Sequence, residues 1–152
     1  VIGSSKTGRR LVHTDIVLRP FEAGDEPAVI DLWTVTFPDE PAHNDPARLI
    51  ALKLSIQPEL CFVALRGADI VGTVMAGFDG VRGWVHKLAV HPDVQRGGIA
   101  VRLMSAAEDG LRALGCPKLN IQVRGKNAAA VAFYERAGYV VEDRISLGKP
   151  LT

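Results

Sequence analysis

The sequence predicts an α/β domain of the α+β type: a mixed, mostly antiparallel sheet of six to seven strands flanked by four helices. Three observations predict it. Between residues 60 and 90, apolar runs of strand length follow one another across short turns such as Gly67-Ala68-Asp69 and Asp79-Gly80, so those strands pair antiparallel. A helix opening at Gly98 joins two strands by a crossover, which requires a parallel pair. The whole order then reads β-α-α-β-β-β-α-β-α-β.

Residues 16–21 form the first strand. Asp25 or Gly24 caps a helix with Pro27 in its first turn and Val29, Leu32 and Trp33 as its apolar stripe. Residues 37–44 carry two prolines and two acids and read as a loop. Asp45-Pro46 starts a second helix that runs to about Gln57, where Pro58 stops it. Residues 60–66, 70–78 and 84–90 are strands. The helix after Gly98 reaches about Leu114 and turns Ile99, Leu103, Met104, Ala107, Leu111 and Leu114 inward, with Gly115 ending it. Residues 119–123 form a fifth strand, Asn127 caps a short helix closing at Gly138, and residues 139–147 form a last strand.

The chain has 152 residues, 47% hydrophobic and 23% charged, which suits one soluble domain with a real core. We read residues 1–14, with Gly3, Ser4, Ser5 and Gly8, as a flexible N-terminal extension and residues 15–152 as that domain. Lys6, Arg9 and Arg10 are not followed by an apolar core, so no secretory signal is expected. A net charge of +1 gives no nucleic-acid footprint, and no apolar run is long enough to span a bilayer. Cys61 and Cys116 belong to no CxxC pair or zinc-spaced cluster. Two free thiols, no metal and a cytoplasmic location are the expectation. Exposed strand edges and apolar end strands would suit a homodimer.

The chemistry concentrates where residues 84–90 run through a turn into the helix at Gly98. A helix N-terminus presents unpaired N–H groups that attract an anion. Gly97 and Gly98 let a ligand approach the main chain without meeting a Cβ. The G-x-G-x-x-G of a dinucleotide fold is absent.

Gln95-Arg96-Gly97-Gly98-Ile99-Ala100, the element order, and Asn127-x-x-Ala130-x-x-Phe133-Tyr134-Glu135-Arg136-x-Gly138-Tyr139 together resemble the GCN5-related N-acetyltransferase (GNAT) superfamily. The resemblance covers nearly the whole domain. It looks closest to small bacterial YpeA-like members, which share Asn44-Asp45-Pro46, Gly72-Thr-Val-Met-Ala-Gly77, Gly115-Cys-Pro-Lys118 and Leu147-Gly148-Lys149.

The resemblance implies acetyl-CoA as cosubstrate and an amine as acceptor. N–H groups of Arg96, Gly97, Gly98, Ile99 and Ala100, with Gln95 and Val101 in the same segment, would gather on the pyrophosphate. The pantetheine arm would bond main-chain groups of Leu88, Ala89 and Val90 as an added strand. Asn127 and Phe133 would meet the same arm. A main-chain N–H near Leu88 would polarise the thioester carbonyl.

Tyr134 matches the family tyrosine near the sulfur and is our general acid. Many members carry a glutamate base where this chain has Trp84. His86, two residues on and expected on the same strand face as Trp84 and Leu88, is the candidate base. The 37–44 loop tends to wall the acceptor site in this family. Its Asp39 and Glu40, with Asp45, would attract a cationic amine or are ordinary solvated acids, Asp45 as an N-cap. Trp33 is core or part of that wall, His91 before Pro92 reads as a loop residue rather than a second base, and His13 and His43 have no constellation. The expected function is acetyl transfer to a primary amine by direct attack in a ternary complex. The alternative is a non-catalytic acyl-CoA sensor or interaction module on the same fold, motivated by the missing glutamate.

Overall fold

A computed structural model of the chain describes residues 15–152, so the expected 1–14 extension lies outside the described residues. The elements are β1 (Ile16–Pro20), α1 (Glu26–Thr36), α2 (Pro46–Leu54), β2 (Cys61–Arg66), β3 (Asp69–Phe78), β4 (Gly83–Val90), α3 (Ile99–Ala113), β5 (Leu119–Ile121) and α4 (Ala128–Arg136). Short 3-10 turns precede α1, α2, β2 and the loop into α3.

The five strands lie in chain order, β1-β2-β3-β4-β5. The first three pairings are antiparallel, and β4 runs parallel to β5 with Gly83 opposite Leu119 and Val85 opposite Ile121. This is the expected mixed sheet, with five assigned strands in place of six to seven. The missing one is the strand expected at residues 139–147. There the N–H of Arg144 bonds the carbonyl of Glu142 at 3.0 Å, a tight turn that breaks extended backbone. The neighbouring β5 has 3 residues, too short a ladder to organise a partner. The segment is tied by side chains to β5 and the residue after it, Asn120 to Glu142 at 2.7 Å and Gln122 to Ser146 at 2.6 Å.

One face of the sheet packs on α3. Ile99, Leu103, Met104, Ala107 and Leu111 recur at helical spacing and bury against Ala64, Val71, Val74, Ala76 and Val85. Each Val, Leu, Ile or Met among them contributes roughly 1.5–3 kcal/mol by leaving water. Gly72 lets α3 come this close, because a Cβ there would stand 3.0 Å from Leu103 Cδ1 and 3.1 Å from Ile99 Cγ2. Phe133, Tyr134 and Tyr139 join this layer. On the other face, Val29, Leu32, Trp33 and Ile50 from α1 and α2 cover Cys61, Val63, Met75 and Ala89. The strand between the layers, β3, is buried from Val71 to Ala76 and reads as a continuous apolar run for that reason.

The second helix ends at Leu54, short of the expected Gln57. Gln57 takes a left-handed φ of 53°, and its amide bonds both main-chain groups of Phe78 at 2.8 Å. The side chain acts as a short strand across from Phe78, and a helical Gln57 would forfeit both bonds. Arg19 grips Asp25 through two bonds of 2.7 and 2.9 Å, and the Glu22 N–H adds a third at 2.8 Å. That trio fixes the entry to α1.

Candidate active site

The parallel pairing of β4 and β5 stops at Val85 and Ile121, while β4 continues to Val90. Residues 86–90 therefore carry an edge that β5 does not cover. This edge leads into the loop before α3. Gln95 Nε2 bonds the Val90 carbonyl at 3.2 Å, and His91 Nδ1 accepts from the Asp93 N–H at 3.2 Å. Both side chains shape the turn, and His91 takes the loop role rather than that of a second base.

Arg96 and Gly98 both have left-handed backbones, with φ of 66° and 76°. Left-handed residues flanking Gly97 point successive N–H groups toward one concavity. Among the described residues no side chain caps the N-terminus of α3, which leaves its first N–H groups for a ligand. Arg96 is exposed beside them.

The far wall comes from α4. Asn127 Oδ1 accepts the Ala130 N–H at 3.1 Å, which makes Asn127 the N-cap and leaves its Nδ2 uncommitted to that bond. Phe133 meets Tyr134 edge-on at 5.1 Å, and Tyr134 meets Tyr139 at 5.6 Å. Tyr139 donates to Glu108 at 2.8 Å and so ties the end of α4 to α3. Burial pushes the Tyr134 phenol up to about 12. Among the described residues no hydrogen bond engages its hydroxyl.

The middle of β4 departs from a regular strand. Met75 pairs with His86 and Thr73 with Ala89, so Lys87 and Leu88 together face Val74 in a bulge. Lys87 has a φ of 53°, a conformation that costs a residue with a Cβ roughly 1–2 kcal/mol. The bulge corrects the expected alternation. Leu88 packs with the α3 layer and Ala89 with the α1–α2 layer, so Leu88 does not share the face of His86. The sequence carries no signal for it, since nothing marks Lys87 as left-handed.

His86 points from the α1–α2 face, opposite Tyr134's layer. It is exposed by area, yet desolvation by the atoms around it, then the charges of Lys53 and Lys87, hold its imidazole below the usual histidine range. Lys53 itself is lowered, mainly by burial, and donates to the Ile56 carbonyl at 2.9 Å. The candidate acid and base thus stand on opposite layers, with the open edge of β4 between them.

The acids of the 37–44 loop divide. Asp39 is exposed. Asp45 caps α2 through the Arg48 N–H at 3.1 Å. Glu40 is engaged by Lys87 at 3.2 Å, Arg124 at 3.2 Å and Asn44 at 2.5 Å. Burial raises its carboxyl, but those three partners outweigh burial and hold it low. Glu40 is therefore an internal counter-ion rather than a free lure for a cationic amine. Trp33 is 2% exposed and belongs to the core. Lys87 and Arg124 enter the site unannounced by any motif, and Thr73, within the Gly72–Gly77 motif, enters without a role read from it. Among the described residues no group of His, Cys, Asp or Glu is placed to hold a metal, and no helix is long and apolar enough to cross a membrane.

A family model described as the acetyltransferase (GNAT) family matches residues 26–139. An acetyltransferase of Yersinia enterocolitica is 46% identical over 134 residues, 88% of this chain and 94% of that protein. Among solved structures, Ard1 from Thermoplasma volcanium aligns with a TM-score of 0.76 at 22% identity, covering 84% of each chain. A chain of the NatC complex bound to Gag peptide and CoA aligns at 0.71 and 22% identity, covering 86% of this chain and 88% of its own.

Proposed function

Because the chain belongs to the GNAT acetyltransferase family, we propose that it moves an acetyl group from acetyl-CoA to a primary amine by direct attack in a ternary complex. The amine belongs to a small molecule, a peptide N-terminus or a protein lysine. One observation carries the reading: the uncovered edge of β4 at residues 86–90 leads directly into an uncapped helix N-terminus.

In this reading the N–H groups from Arg96 to Ala100 hold the diphosphate of CoA, with the exposed guanidinium of Arg96 adding charge. Gln95 acts by holding the loop to Val90, and Val101 stands one residue into the same helix turn. The pantetheine arm bonds the main chain of Leu88, Ala89 and Val90 and lies against Asn127 and Phe133. Its thioester carbonyl meets a main-chain N–H at the Lys87 bulge.

The amine nitrogen attacks the carbonyl carbon, and the carbon–sulfur bond breaks as the tetrahedral oxyanion collapses. His86, neutral at pH 7 because its imidazole is held low, takes the amine proton directly or through water. Tyr134, kept protonated, gives its proton to the departing thiolate. Proton return through solvent resets both groups.

The test is thiol release from acetyl-CoA in the presence of a panel of amino acids, polyamines, arylalkylamines and peptides with free N-termini. Release that depends on one class of amine supports the proposal. Tight acetyl-CoA binding with no release on any amine would favour the acyl-CoA sensor instead.

A further inference from the structure

The side chain of Lys87 does something the proposed reaction leaves unexplained. It is 8% exposed, an expensive place for an ammonium unless partners surround it. Apart from Trp33 at the end of α1, those partners come from one loop. Its Nζ lies 4.5 Å from the ring centroid of Phe37, where the loop begins, and 5.4 Å from that of Trp33 beneath. It pairs at 3.2 Å with Glu40, in mid-loop, whose side chain is 17% exposed. Asn44, at the loop's end, donates to the same carboxylate oxygen at 2.5 Å. Beginning, middle and end of the 37–44 loop are thus gathered round one ammonium on β4.

The other carboxylate oxygen of Glu40 reaches Arg124 at 3.2 Å, beyond the end of β5. Lys87 and Arg124 stand where β4 and β5 no longer pair. The chain Lys87–Glu40–Arg124 therefore spans the mouth of the opening between the strands. The two arms are unequal. The Arg124 side chain is 68% exposed, so that arm is screened and weak. The Lys87 arm is shielded, and loss of either partner leaves a charge stranded.

We propose that Lys87 is a positioning residue: it pegs the 37–44 loop, through Glu40 and Phe37, across the β4–β5 opening and so sets where the acceptor amine enters. The proposal rests on amine acetylation as the reaction. The bulge itself is held separately, by Thr73 on the Lys87 carbonyl, so the peg acts on the acceptor and not on acetyl-CoA.

The test compares Glu40→Gln, Lys87→Met and the double variant in the full chain. Hydrogen exchange should quicken about tenfold or more in residues 37–44 of each variant, with β2 and β3 unchanged. In Glu40→Gln, which leaves the Lys87 bulge and its charge beside His86 in place, acetyl-CoA affinity, by calorimetry, should stay within about twofold, while kcat/KM for the fastest amine of the panel falls about tenfold, mostly through KM. The double variant should be no worse than the poorer single one, as expected for one shared interaction. Unchanged loop exchange in both folded single variants, or additive losses in the double, overturns the peg. Should the wild type acetylate no amine, the proposed function fails while loop exchange still reads the peg.

Discussion

Thr73 Oγ1 donates to the main-chain carbonyl of Lys87 at 2.9 Å, from the strand next door. The same oxygen accepts from Trp33 Nε1 at 2.8 Å, and Thr73 and Trp33 are 3% and 2% exposed. A buried relay from α1 through β3 thus over-determines the one left-handed residue of β4. Thr73→Val keeps the shape but strands the indole N–H and the carbonyl. We expect a loss of about 2–3 kcal/mol in urea unfolding and a lower kcat as the bulge relaxes. A valine variant of unaltered stability and rate would show that the bulge needs no such support.

In the proposed reaction His86 sets the acid limb of the pH profile. Its imidazole is held low by burial, Lys53 and Lys87, so kcat/KM should stay flat to below the ordinary histidine value of about 6.5. Lys53→Met removes one repelling charge, raises the imidazole and should move that limb to higher pH. His86→Ala should cost about 10²-fold near neutrality, with a smaller deficit at high pH, where solvent deprotonates the amine. A limb that ignores both substitutions removes His86 as base.

Tyr134→Phe should lower kcat about 10²-fold while leaving acetyl-CoA affinity nearly intact, because only the proposed proton donor is lost. Since the phenol is pushed up to about 12, the wild-type rate should show no basic limb from tyrosine ionisation through about pH 10. Full activity in the phenylalanine variant would assign the donor elsewhere.

Gly98→Ala places a Cβ on a residue with φ of 76° at the head of α3. Strain of about 1–2 kcal/mol should reshape the loop and weaken acetyl-CoA binding by about tenfold, measured by calorimetry. Unchanged affinity would move the diphosphate away from this loop.

Asp25 tests the scaffold apart from the chemistry. Arg19's hydrogen bonds, opposed by burial and aided by the Glu22 N–H, hold its carboxyl low. A lowered carboxyl stabilises the fold above its unfolded value of about 3.9 and loses that contribution as pH falls through the folded value. Asp25→Ala should cost about 2 kcal/mol at pH 7. The gap to wild type should narrow in acid, as followed by thermal unfolding.

The layered fold was legible because its signals are local. The stripe of α3, the caps Asp45 and Asn127, and the turn at Gly67 each need only neighbours in the chain. The last strand failed because its pattern of Val140, Val141, Ile145 and Leu147 resembles a strand but lacks a ladder long enough to join. The faces around His86 failed for a different reason. A bulge inverts alternation, and what holds it is Thr73 and Trp33, each far away in sequence. Glu40 was visible as an acid, but its partners Lys87 and Arg124 are brought to it only by the fold.

In the proposed reaction acetyl passes straight from CoA to an amine held against β4. Intact-mass analysis of a reaction with isotopically labelled acetyl-CoA and the amine panel tests it most directly. Label should appear in an amide product, with unlabelled enzyme throughout and Tyr134→Phe slowing its appearance. Label accumulating on the protein, or acetyl-CoA consumed with no amide formed, would contradict it.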